Sequence, residues 1–249
     1  MMRTNILITG ASSGLGKGMA MEFAKKGHNL ALCARRVERL EELKQQLLNI
    51  NPQITVIIKS LDVNDHDAVF NVFNAFKQEL GTLDRIIVNA GMGKGASIGR
   101  GYMHANMQTA QTNFIAAIAQ CEAAVEIFRQ QKSGHLVTMS SISALRGFRR
   151  AMTVYAATKA ALSSLTEGIR IDLLKTNIKV SCIHPGFIRS EINEKVEKVP
   201  FIVDTEAGCK ALVKAIDKEK PTSYVPTWPW ALLHFLIRIA PVSILSKMS

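Results

Sequence analysis

Residues 5–16 read NILITGASSGLG, and the fold turns on that stretch. The run NILIT is β-favouring and aliphatic at its centre, as expected of a strand covered on both faces. It stops at Gly10, and Gly14 and Gly16 complete the pattern TGxxxGxG. Glycine allows a positive φ and a close backbone approach to an anionic group. A helix opening at Gly14–Leu15 turns its unpaired N–H groups and positive dipole end toward the same point. Strand, turn and helix in that order describe a cradle for the diphosphate of a dinucleotide, with Gly10, Ser12, Ser13, Gly14, Leu15 and Gly16 in contact. A tight strand–helix turn would account for the glycines by themselves. Their place directly after the first strand of an alternating chain favours the dinucleotide.

Outward from there, short aliphatic runs alternate with longer stretches of helical period. Strands are expected at 5–9, 29–34, 55–60, 85–89, 134–140, 178–184 and 223–226, and helices near 14–26, 36–49, 66–80, 104–131 and 153–176. The connections are long enough for helical crossovers, so the strands should pair in parallel. The expected fold class is α/β: a doubly wound, Rossmann-type parallel sheet of about seven strands with helices on both faces. No repeat, low-complexity tract or linker divides the chain, and residues 1–249 are read as one domain.

At 47% hydrophobic and 20% charged residues, the composition is that of an ordinary globular protein. Cys33, Cys121, Cys182 and Cys209 are far apart, with no CxxC pair and no histidine cluster. They read as reduced core thiols in a cytosolic chain, not as a disulfide frame or zinc site. The N-terminus enters a strand at once, leaving no room for a signal peptide, so a cytoplasmic location is expected. The balance of 31 Lys+Arg against 20 Asp+Glu gives a net charge of +11. That favours anionic partners in general. The basic residues are dispersed and accompany no recognition motif, so no nucleic acid is expected.

The second strand ends in LALCARRVERL, residues 30–40. An acidic residue at this point would bind the ribose 2′-OH of NAD, whereas an arginine accommodates the 2′-phosphate of NADP. Arg35 and Arg36 stand there, with no acid before Glu38. Guanidinium groups form forked, charge-assisted bonds to phosphate, so the expected cofactor is NADP(H).

Residues 153–162 read TVYAATKAAL, placing Tyr155 and Lys159 on one helix face, one turn apart. A tyrosine with its ordinary pKa of ~10 is a poor base near neutrality. A neighbouring ammonium is expected to stabilise the phenolate and bring it toward the working range.

With these residues in place, the chain resembles the short-chain dehydrogenase/reductase family over nearly its whole length. The motifs follow in the family's order: TGASSGLG (9–16), LDV (61–63), NAG (89–91), Asn113, Ser141, the Tyr155–Lys159 pair and PGFIRS (185–190). The resemblance implies that Asp62 and Val63 border the adenine and that Asn89, Ala90 and Gly91 line the cofactor's central wall. Pro185, Gly186, Ile188 and Ser190 would close over the nicotinamide. It further implies that Tyr155 exchanges a proton with the substrate oxygen and that Ser141 positions that oxygen. Lys159 would hold the nicotinamide ribose, and Asn113 would distort its helix and hold a water linking Lys159 to solvent. No metal is required. Val88 replaces the first asparagine of the family's usual pair, and Ser190 replaces a threonine. The spacing of 14 residues from Ser141 to Tyr155 is one longer than the family's, which leaves Ser140 as an alternative. A homodimer or homotetramer, assembled through 104–131 and 153–176, is implied as well.

The substrate is less legible. Residues 187–210 are expected to cover it, with Phe187, Ile192 and Val196 lining the pocket. Arg146, Arg149 and Arg150 are either exposed loop arginines or an attraction for an anionic substrate. The tail, 226–249, carries two tryptophans and an apolar run from Trp230 to Ala240, interrupted by Arg238 and ended by Pro241. It is too short to span a bilayer, which takes ~20 residues. It suits core or oligomer packing, a lid over a greasy substrate, or peripheral membrane contact. The resulting expectation is an NADP(H)-dependent oxidoreductase that interconverts a carbonyl and a secondary alcohol. Its small hydrophobic substrate would be a 3-oxoacyl thioester, a lipid ketone or a steroid-like ketone. Reduction of a fatty-acyl thioester to an aldehyde is an alternative, as are a non-catalytic NADP-binding sensor and a membrane-associated scaffold.

Overall fold

The strand Asn5–Thr9 (β1) buries all five of its residues. Successive side chains of a strand leave the sheet in opposite directions, so both faces above β1 must be covered. Ile6 and Ile8 pack on one side with Leu30 and Leu32 of β2 (Asn29–Ala34). Leu7 packs on the other with Ala31 and Cys33. The computed structural model, which describes residues 3–93, 95–189 and 201–246, extends this arrangement across one sheet. The remaining strands are β3 (Val56–Ser60), β4 (Arg85–Val88), β5 (Gly134–Met139), β6 (Ile178–Pro185) and β7 (Thr222–Val225). They run in the order β3-β2-β1-β4-β5-β6-β7, with every pairing parallel. The expected single-domain α/β Rossmann fold is therefore the one formed.

Helices α1 (Gly14–Lys25) and α2 (Val37–Ile50) cover the Ile6 face. On the Leu7 face lie α3 (His66–Leu80), α5 (Ala116–Gln131) and α6 (Met152–Asp172). The chain winds from β1 outward to β3, then returns to place β4 on the other flank of β1. The crevice outside the carboxyl ends of β1 and β4 is the switch point at which such sheets bind ligands.

Two elements differ from the sequence reading. The helix expected over 104–131 is broken into α4 (Met103–Ala110), a wide π-type turn at Gln111–Ile115, and α5. The helix α7 (Thr205–Asp217) occupies ground partly assigned to the substrate cover. Its buried Cys209, Leu212, Val213 and Ile216 sit at helical spacing and complete the Ile6 layer beside α1. Residues 205–210, read from the sequence as part of a substrate cover, are therefore packed scaffold. The tail forms α8 (Thr227–Ile239) and a single turn, α9 (Val242–Leu245). All four cysteines are free and buried, and burial pushes the Cys121 thiol up to about 12.

A buried polar network ties the opposite, amino-terminal edge of the sheet. Arg85, at the start of β4, donates to Asp217 at 2.7 Å and to His135 Nδ1 at 2.9 Å. With Nδ1 accepting, His135 Nε2 carries the proton and donates to Ser181 Oγ at 2.9 Å. Burial first, then the charge of Arg85, hold this imidazole neutral well below its usual pKa. Burial alone would raise Asp217, but bonds from Lys26 and Arg85 outweigh it and hold the carboxyl below its ordinary value of 3.8. Its contribution is thus present above that value and lost as pH falls through the folded-state pKa. Replacing Asp217 by Ala strips the nearest carboxylate from a buried guanidinium, and urea unfolding at pH 7 should show a loss on the order of 3 kcal/mol. The loss should shrink only below about pH 4, and Arg85→Met in the same chain should recover part of it.

Candidate active site

At the carboxyl edge, the turn after β1 is bound by contact rather than by preference. Gly10 has φ +65°, and a Cβ on Gly16 would lie 2.5 Å from the Gly10 carbonyl oxygen and 2.7 Å from Asn89 Nδ2. Asn89, just beyond β4, donates from that amide to the Thr9 carbonyl at 2.9 Å. Thr9 Oγ1 in return accepts the backbone N–H groups of Asn89 and Ala90, each at 3.0 Å. The two strands flanking the switch point are laced together where they end. Helix α1 starts with no side-chain cap on its first turn and no acidic residue in it, so its leading N–H groups are available to anionic oxygens. A glycine cradle that no Cβ could enter, facing an uncapped helix start, fits the diphosphate of a nicotinamide dinucleotide.

The two arginines of the second strand's end diverge. Arg36 reaches back over the turn, donating from Nη2 to Ser13 Oγ at 2.8 Å and Ser12 Oγ at 3.2 Å. Arg35 is exposed and lies 3.9 Å from Asp62. Asp62 Oδ1 accepts the backbone and side-chain N–H groups of Asn64, while Val63 is buried.

The π-type turn explains Asn113. One extra residue in the turn rotates it into the protein, a common device near functional sites. There its Oδ1 accepts the Met92 N–H at 2.8 Å and its Nδ2 donates to the Met92 carbonyl at 2.9 Å. The amide therefore pins the loop after Gly91. A Cβ on Gly91 would lie 3.2 Å from Asn113 Oδ1 and 3.6 Å from Lys159 Nζ, so these three groups share one small space.

Ser140 and Ser141 separate cleanly. Ser140 turns inward, donating to the Lys159 carbonyl at 2.9 Å and meeting Ser163 Oγ at 2.8 Å. Ser141, in extended backbone with φ −165°, caps the short turn Ile142–Leu145, and its hydroxyl acts on the Tyr155 phenol to lower its pKa. Lys159 is buried, donates to the Met139 carbonyl at 2.8 Å, and sits 5.8 Å from the centre of the Tyr155 ring.

The electrostatics correct one expectation. Desolvation pushes the Tyr155 phenol above its ordinary pKa, the Ser141 hydroxyl opposes that, and Lys159 is not a contributor. Burial likewise pushes the Lys159 ammonium down to about 8. Desolvation outweighs mutual stabilisation here because Nζ spends its hydrogen bond on a backbone carbonyl. The tyrosine is kept as a proton donor.

Three participants were given no role by the sequence reading, although Thr9 opens the TGxxxGxG pattern. His184, just before Pro185, is buried and donates from Nδ1 to the Ser141 carbonyl at 3.0 Å, bracing that residue from behind. Thr9 is the second. The third is Trp230, 3% exposed, whose indole lies where any Gly186 Cβ would fall and meets Phe187 edge to face at 5.5 Å. Gly186 is held by its N–H to the Val225 carbonyl at 2.8 Å, and Ile188 is buried. Backbone bonds between Phe187–Arg189 and Val203 tie together the two described ends of the cover. Ser190, Ile192 and Val196 lie outside the described residues. Arg146 is committed elsewhere: it donates to the carbonyls of Arg238 at 2.6 Å and Ala240 at 3.1 Å, at the end of α8. Its guanidinium is a clamp, not an anion receptor. Among the described residues, no group of His, Cys, Asp or Glu is placed to hold a metal ion.

A family model described as short chain dehydrogenase matches residues 4–200. An uncharacterized oxidoreductase of Mycobacterium tuberculosis is 47% identical over 96% of this chain and 94% of its own length. The 11-beta-hydroxysteroid dehydrogenase 1A of Arabidopsis thaliana is 31% identical over 90% of this chain and 68% of its own. The crystal structure of a levodione reductase shares the fold, with a TM-score of 0.82 and 22% identity over 93% of this chain and 99% of that one.

The lowered pKa of Lys159 has a measurable sign. A lysine at about 8 in the folded state and 10.5 when unfolded binds its proton more tightly unfolded. Its burial therefore costs most at neutral pH, and the cost is relieved as pH rises from 8 toward 10.5. Measured by urea unfolding, wild type should gain on Lys159→Met by about 1 kcal/mol between pH 7 and pH 9. An unchanged difference would mean that the ammonium is not desolvated.

Proposed function

The chain belongs to the short-chain dehydrogenase family and is an oxidoreductase, and from that premise we propose that it interconverts a ketone and a secondary alcohol with NADP(H). The observation that carries the reading is the Tyr155 phenol, kept protonated by desolvation, with Lys159 Nζ 5.8 Å from its ring centre and the Ser141 hydroxyl acting on it. A bound nicotinamide cofactor would supply or accept the hydride. The remaining work falls to residues of this chain. Tyr155 gives its proton to the carbonyl oxygen in reduction and takes it back in oxidation. Ser141, held by His184, orients that oxygen through its hydroxyl. Lys159 holds the nicotinamide ribose, and Asn113 keeps the loop after Gly91 at the distance Lys159 requires, with a water completing a relay to solvent.

Arg36 supports NADP(H) over NAD(H). Its guanidinium is already aligned by Ser12 and Ser13 at the edge of the glycine turn, the position that a 2′-phosphate would take up. Phe187, partly buried against the small core of Ile142 and Trp230 next to Ser141, supports a hydrophobic ketone. The Arabidopsis relative's name, a hydroxysteroid dehydrogenase, points the same way. Assembly into homodimers or homotetramers fits the exposed Ile115 and Ile171 on the helices that the resemblance assigns to subunit contact. A cofactor-binding sensor is the weaker reading, because it would have no use for Ser141, Tyr155, Lys159 and Asn113 all together.

Consumption of NADPH against a panel of bulky ketones tests the proposal. Tyr155→Phe should lower kcat by about 10²-fold or more while NADPH binding, followed by fluorescence, is retained. Arg36→Ala should raise KM for NADPH at least about tenfold and leave that for NADH unchanged, the loss of one charge-assisted contact of 1.4 kcal/mol or more. Full turnover in Tyr155→Phe would refute the mechanism. Equal response of both cofactors would refute the NADP(H) preference.

A further inference from the structure

The tail has two faces with different fates. Trp230, Ile237 and Leu245 turn inward and form a small core with Ile142. Trp228, Leu232, Phe235, Leu236 and Ile239 turn outward along one stripe of α8, and Val242 and Ile244 continue it into α9. They are not grazed by solvent but open to it: Trp228 is 75% exposed, Ile239 72% and Val242 73%. Single exposed apolar residues are ordinary, whereas a contiguous run of this kind marks an interaction surface.

The charges around the stripe choose its partner. From Lys220 to Ser249 the sequence contains no aspartate or glutamate, and it carries Lys220, Arg238 and Lys247. The loop that Arg146 clamps to the end of α8 presents exposed Arg149 and Arg150, and no acidic residue occurs between Ile142 and Thr166. A second copy of this face, related by a two-fold axis, would bring the basic residues of both tails into one interface with no carboxylate of either tail to compensate, an arrangement that disfavours self-association. A surface of anionic headgroups over an apolar layer meets both demands at once: the stripe enters the acyl boundary and the cations stay at headgroup level. With 13 residues, α8 is about 20 Å long and cannot cross a hydrocarbon core of about 30 Å. Among the described residues no helix is long and apolar enough to do so.

We propose that the outer face of α8 and α9 docks the protein, in plane, on bilayers containing anionic phospholipid. Because the inner face of the same helix bears Trp230 against Gly186, the docked helix lies between the lipid surface and the site. The chain has two tryptophans, one buried and one exposed on the stripe, which makes the test direct. Full-length protein is mixed with vesicles of phosphatidylcholine alone or with one third phosphatidylglycerol, followed by sedimentation and tryptophan emission. The expected result is at least tenfold tighter partitioning to the anionic vesicles, weakened by 0.5 M salt, with a blue shift that disappears in Trp228→Phe. The double variant Phe235→Glu, Leu236→Glu should lose the partitioning while keeping its circular dichroism and its cofactor binding. Partitioning that is equal for neutral and anionic vesicles, or equal in wild type and double variant, would overturn the proposal. So would a wild type that ignores vesicles but whose oligomer, by sedimentation velocity, falls apart in the double variant, since the stripe would then be a contact between copies of this chain.

Discussion

Nothing larger than hydrogen fits on the α-carbon of Gly16, and the chemistry of the carboxyl edge depends on that restriction. The close approach lets α1 begin directly against the Gly10 carbonyl, which aims the helix start at the crevice. It also brings Asn89 within reach of the turn, so one side chain holds the end of β1 to the end of β4. Thr9 completes the lacing from the other side. Had the turn been looser, the crevice between the two strands would have been set by side-chain packing, which adjusts. As built, it is set by backbone contact, which does not.

The same preference for rigid placement governs the candidate catalytic groups. Tyr155, Lys159 and Ser141 come from two elements, and neither holds them alone. Ser140 binds the carbonyl of Lys159, so the end of β5 and the middle of α6 are joined one residue from Ser141 and one helical turn from Tyr155. Burial then sets the protonation states: it favours the neutral phenol and weakens the ammonium. Both shifts arise from desolvation, so any substrate or cofactor that displaces water from the crevice acts on groups already tuned to a dry environment.

Much of this was legible in the residues. Strand and helix positions followed from runs of aliphatic residues and their period, because a parallel sheet buried on both faces leaves a strong pattern. The glycines, Tyr155 and Lys159 were legible because their spacing is itself the geometry, local within one turn. What escaped reading was set by distant partners. The helix α7 was hidden behind a segment without strand signals, and only its packing on α1 shows why Cys209 and Leu212 are apolar. The break at Asn113 depends on Met92, more than one element away. The pKa of Tyr155 was misjudged because adjacency on a helix says which charge is near, not how much water remains. Arg146 looked like a charge offered to solvent, and its partners lie some ninety residues later in the chain.

That last contact makes the two ends of the site mechanically one. Arg146 closes the loop that starts at Ser141, and it does so by filling the unpaired carbonyls at the end of α8. The catalytic loop is thus fastened to the final quarter of the chain, not only to the helix that follows it. The apolar tail and the loop that begins at Ser141 are therefore one connected piece of structure, joined at the residue five positions from the serine.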